Sequence, residues 1–199
     1  MARLADLFAI NAMTLVGCLP IITIGASITA GHYTALKLHR GEGYVFQNFW
    51  QSFKENFKQS TIIWILFLCF FAIEYLAFIT LTSGTIETGQ MMQGWVIATT
   101  VLGVCVMLWV FPLQSKFINP IGKTLRLAFV MTFKYLYLTI PMLALFVLPF
   151  FVTSKLFPII FLCGFSVPIY LSAILYNRSF RKLEEQVLKS LGGNDNENI

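Results

Sequence analysis

The sequence predicts an all-α polytopic membrane protein, with about five transmembrane helices and a cytoplasmic interfacial amphipathic helix between the first and second. Three observations carry this. Only 12% of the 199 residues are charged, against about 25% in a soluble domain. Several apolar runs approach roughly twenty residues, the length that crosses a hydrocarbon core. Between the first two runs, Phe46, Phe49, Trp50, Phe53 and Phe57 recur at helical spacing. Gln47, Gln51, Lys54, Glu55 and Lys58 fall on the other side, giving an amphipathic helix over 45–58 that is too polar to span.

The spans are expected at about 4–30, 61–81, 95–113, 131–152 and 156–176. They form one membrane-embedded domain over 1–191, followed by a disordered tail over 192–199. The first run contains Asp6, Asn11 and, near its middle, Pro20, which should kink it. Small residues follow at Gly25, Ala26, Ser27, Ala30 and Gly31, with Ala26/Ala30 and Ser27/Gly31 four apart. That spacing lets a second helix approach closely. Arg3 and Ile28-Thr29-Ala30 resemble the ends of a signal peptide, but Asp6, Pro20 and the length of the run argue against one. Gly41-Glu42-Gly43 supplies a chain reversal, not a phosphate loop. The second run is apolar except for Glu74 and its threonines. Trp95 and Trp109 flank the third as interface anchors. Asn119-Pro120 marks the next turn. Pro141 and Pro149 interrupt the fourth run, and Pro158 and Pro168 the fifth.

Basic residues set the orientation. Lys37, Arg40, Lys54 and Lys58 lie after the first span, Lys116, Lys123, Arg126 and Lys134 after the third, and Arg178, Arg181, Lys182 and Lys189 after the fifth. The other side holds only Arg3 and Lys155. Five spans then place the N-terminus outside the cell membrane and the C-terminus in the cytoplasm. The net charge of +5 follows from these loops and does not point to nucleic acid.

The chemistry is sparse. Glu74 is an ionisable group inside an apolar run, which marks a functional candidate by default. Asp6 and Asn11 join it as a candidate intramembrane polar site. A group of this kind is more often a structural hydrogen-bonding one, and Lys155 is the nearest basic residue for Glu74 on that side. Phe46, Phe49, Trp50, Phe53 and Phe57, with Lys54 and Lys58, form a candidate face for lipid or partner docking. His32 and His39 are seven apart, lack metal-site spacing, and read as surface or interface residues. Cys18, Cys69, Cys105 and Cys163 sit in apolar runs and read as small core residues. No catalytic, cofactor or metal residues are assigned, and no enzyme activity is expected. Two functions lead: an accessory membrane subunit, or a self-sufficient small-solute or ion transporter working as an oligomer around Glu74; a membrane-bound enzyme or lipid handler comes third.

Three segments resemble the YesL-like membrane proteins, a domain of unknown function found chiefly in Gram-positive bacteria. They are Leu19-Pro20-Ile21-Ile22-Thr23-Ile24-Gly25-Ala26-Ser27, then Tyr33-Thr34-Ala35-Leu36-Lys37, then residues 43–59, which end in Phe53-Lys54-Glu55-Asn56-Phe57-Lys58-Gln59. The resemblance covers roughly residues 6–66. It implies a link to carbohydrate uptake, which makes sugar ABC importer permease subunits the expected partners; the amphipathic helix and the small-residue stripe add membrane lipids and further copies of the chain. It also implies an amphipathic stretch before the first span, shortened or missing here. It supplies no catalytic or ligand-binding residues.

Overall fold

The computed structural model describes residues 2–42, 44–82, 90–117 and 119–144, together with Ile169, Leu171 and Tyr176. These residues contain helices and no strand. The helices are α1 (Ala2–Cys18), α2 (Ile24–His39), α3 (Val45–Thr82), α4 (Gln90–Lys116), α5 (Ile121–Lys134) and α6 (Leu136–Ala144), with one 3-10 turn at Ile21–Thr23. The all-α membrane class therefore stands. Two described helices, α3 and α4, are long and apolar enough to cross a membrane, and α5 with α6 makes a third if that bent pair is one span.

The run 4–30 is not one kinked span. It is a helical hairpin. Proline disfavours helix in the residue before it, and Pro20 itself is extended at φ −79° and ψ 125°. The chain breaks there and α2 folds back on α1. Thr23 Oγ1 donates to the free carbonyl of Gly17 at 2.7 Å, and Ser27 Oγ donates to Thr14 O at 2.8 Å. Gly17 permits the approach, since a Cβ there would lie 2.5 Å from Ser27 Oγ. At the other end, Leu38 and Val45 pack on Ile10. Residue 2 and residue 40 therefore lie toward the same end of the hairpin.

A glycine turn closes α2. Gly41 takes φ +88°, its N–H bonds Leu38 O, and the Glu42 N–H returns to Lys37 O. These bonds satisfy carbonyls that a helix C-terminus leaves open.

The expected interfacial helix 45–58 and span 61–81 are one uninterrupted helix, α3, of 38 residues. No glycine or proline falls between Val45 and Thr82. At about 1.5 Å per residue α3 measures roughly 57 Å, almost twice a hydrocarbon core of about 30 Å. Its polar first part is thus a rigid continuation of the spanning part.

α3 and α4 form an antiparallel pair. Trp64 meets Phe111, Phe70 packs on Gly103, and Gln93 Nε2 donates to Leu81 O. The expected span 95–113 lies within α4. Trp109 is not an interface anchor, however, because it is fully buried, whereas Trp95 is exposed. The expected span 131–152 begins inside α5 and bends by 95° before α6. Residues 145–152, most of 156–176 with Lys155 and Cys163, and the tail 192–199 lie outside the described residues.

α2 packs under this pair. Gly25 lies where a Cβ would come within 2.6 Å of Ser60 O and 2.8 Å of Trp64 Cβ, and Gly31 where one would come within 3.0 Å of Thr14 Oγ1. Thr29 and Ser60 share a hydrogen bond of 3.0 Å, and the Trp64 indole donates to Ile21 O at 2.8 Å. Ala26, Ser27 and Ala30 are all buried. A core of Ile63, Phe67, Trp109, Phe111, Met131, Met142 and Tyr176 joins α3, α4, α5 and α6. Cys18 and Cys105 are half-buried, but Cys69 faces outward, contrary to the core reading.

Candidate functional site

The polar interior begins with Pro112. A proline inside a helix has no N–H for the carbonyl four residues back. In α4 that carbonyl belongs to Leu108. It is bonded all the same, because the Tyr176 hydroxyl donates to it. Tyr176 is fully buried, and its ring lies 4.9 Å from Trp109 and 5.9 Å from His32, edge-on to both. The Trp109 indole in turn donates to Thr139 Oγ1 at 2.9 Å. One helix break has therefore gathered a tyrosine, a tryptophan and a histidine from separate elements.

His32 is the unexpected member. It is 2% exposed, not a surface residue, whereas His39 is exposed. Its Nδ1 is buried with no hydrogen-bond partner. α2 is not among the helices long enough to span. Burial lowers the imidazole pKa from 6.5 to about 3, so the ring is neutral at ordinary pH. A neutral imidazole has one donor and one acceptor nitrogen. Beside it lies a cavity of about 250 Å³ lined by Ile28, His32, Val104, Met107, Leu108, Phe111, Pro112 and Ile169. His32 was not legible as special, since a lone histidine carries no spacing signal. Pro112 was a readable one: a proline within an apolar helix calls for a donor from elsewhere.

The residues expected to form one polar site are not brought together by any described contact. Glu74 lies on α3 in a groove of about 390 Å³ against α4, with Phe71, Tyr75, Phe78, Val96, Ile97, Thr100 and Val101. Asn11 is buried on α1, and Asp6 is half-buried one helix face away.

The aromatic face divides in two. Phe49 is 3% exposed and reaches toward Gly17 in the hairpin. Phe46, Trp50 and Phe57 are exposed at 70%, 48% and 38%. Phe53 links the two sets, stacked on Trp50 at 5.6 Å and against Phe49 at 6.2 Å. Lys54 Nζ sits 5.4 Å above the Trp50 ring, a cation–π contact. Phe49 therefore anchors the helix, while its neighbours Phe46, Trp50 and Phe57 present exposed rings.

Residues 7–78 match the family model described as "Protein of unknown function, DUF624". The matched stretch runs from α1 through most of α3. It takes in the hairpin, His32, the aromatic face and Glu74, and stops before α4. No curated protein and no solved structure matches the chain.

Proposed function

We propose that the chain is a non-catalytic accessory protein of the cell membrane that docks a second membrane protein through the first part of α3. The observation that carries this is the continuity of α3. A helix continuous with a span is a poor candidate for lying flat in the headgroups, as a separate interfacial helix would. Its exposed Phe46, Trp50 and Phe57 then stand beyond the hydrocarbon, where aromatic anchors serve association. The YesL-like resemblance supplies the partner class: permease subunits of a sugar ABC importer, in carbohydrate uptake.

The orientation is also part of this reading. Lys37, Arg40, Lys54, Lys58, Lys116, Lys123 and Arg126 favour a cytoplasmic side for the α2–α3 turn and the docking face. The outside N-terminus expected from sequence rested on a first span. With a hairpin there, residue 2 belongs on the cytoplasmic side with residue 40.

The test is purification of the tagged chain from its native membrane in mild detergent, read by mass spectrometry. The variant Phe46→Ala/Trp50→Ala/Phe57→Ala removes exposed rings and leaves Phe49 in place. Importer permeases that co-purify with the wild type and are lost with the variant support the reading. A chain that comes out alone, or with the same partners in both cases, removes it.

A second reading is a self-sufficient small-solute or ion transporter, favoured by the Glu74 groove. No hydrogen bond or ion pair to Glu74 occurs among the described residues. Glu74→Gln should then abolish flux in reconstituted vesicles, and unchanged flux would end this reading.

A further inference from the structure

The cavity beside His32 has an unusual wall. Seven of its eight described lining residues are apolar, and the eighth is the neutral imidazole of His32. Nδ1 itself is closed off from the cavity, so an occupant meets the ring by its remaining atoms. Water is a poor one. The volume equals on the order of eight waters, but each buried water needs two to four polar partners. Among the described residues the Leu108 carbonyl is already bonded by Tyr176, which leaves His32. A half-open apolar pocket of this kind admits small apolar molecules. The volume lies just under the roughly 300–1,000 Å³ usual for ligand pockets, which suits a small molecule or one end of a longer chain.

We propose that this cavity binds an uncharged, membrane-soluble alcohol, with its hydroxyl on the His32 imidazole and its carbon chain along Val104, Met107 and Phe111. A hydroxyl both donates and accepts, so it pairs with either tautomer of a neutral imidazole. A carboxylate or an ammonium would arrive without a counter-charge in an apolar wall and is disfavoured. The site lies between α2 and α4, away from the exposed rings of α3, so it is independent of the docking reading.

The experiment uses the full chain in detergent micelles and a diazirine-bearing eight-carbon alcohol as photolabel, with labelled peptides identified by mass spectrometry. Saturable labelling within 28–32 or 104–112 is expected. Excess 1-octanol should suppress it, and octane at equal concentration should not. His32→Leu, which keeps the volume but removes the polar group, and Val104→Trp, which fills the cavity, should each lower labelling at least tenfold, with helix content and elution volume unchanged. Non-saturable labelling, or labelling unaffected by Val104→Trp, means partition into the micelle and overturns the site. Octane competing as well as octanol, or His32→Leu labelling like the wild type, overturns the hydroxyl contact. Should His32→Leu fail to fold, the octanol–octane comparison on the wild type decides the matter alone.

Discussion

At the scale of single residues, Pro112 and Tyr176 form a unit. The proline opens the α4 hydrogen-bond ladder at Leu108 O, and the tyrosine hydroxyl closes it from another part of the chain. Tyr176→Phe leaves that carbonyl buried and unbonded, at a cost of about 1–3 kcal/mol. Pro112→Ala restores an N–H at position 112, which can bond Leu108 O directly. In that background Tyr176→Phe should cost less by about 1 kcal/mol or more, and the double-mutant cycle measures the difference. Thermal unfolding in detergent is the readout. Equal costs in both backgrounds would show that the hydroxyl matters for some other reason. The neutral, buried His32 depends on the same packing, because the Tyr176 ring covers it.

At the scale of elements, close approach is governed by which small residues meet backbone. Gly25 faces Ser60 O and Trp64 Cβ, and neither can move without moving α3. Gly25→Ala should therefore destabilise by about 1–3 kcal/mol through overpacking. Gly94, on α4, is open by contrast: a Cβ added there would meet nothing within 4 Å. Gly94→Ala should be neutral or should stabilise by up to about 1 kcal/mol through helix propensity. Denaturation of the two variants in parallel checks both. A silent Gly25→Ala would mean that α2 and α3 are not packed as described. The small-residue spacing at Gly25, Ala26, Ser27, Ala30 and Gly31 was readable as a packing stripe. Its partners were not readable, because sequence spacing does not name the opposing helix. Gly31, for example, meets Thr14 of α1, while Gly25 meets α3.

At the scale of the whole molecule, hydropathy made the helical membrane class and α4 legible, since composition alone decides both. It could not separate a kink at Pro20 from a reversal. Tertiary contacts decide that: the Thr23, Ser27 and Gly17 interactions draw α2 back along α1. The polar stretch near Lys54–Lys58 read as a boundary between two helices, yet the absence of any glycine or proline from Val45 to Thr82 was the better guide. Both differences bear on topology. A hairpin returns the chain to the side it started from, so residues 5 and 42 should share one side of the membrane and residue 91, beyond the spanning part of α3, should occupy the other. Single cysteines at Ala5, Glu42 and Met91, in a chain with its native cysteines replaced, can be probed on intact cells with a membrane-impermeant maleimide. Positions 5 and 42 should both resist labelling until the cells are opened, while position 91 labels from outside. Labelling of position 5 but not of position 42 on intact cells would restore a single first span and undo the hairpin topology. Labelling of 5 and 42 together, with 91 protected, would keep the hairpin and invert the orientation drawn from the basic residues.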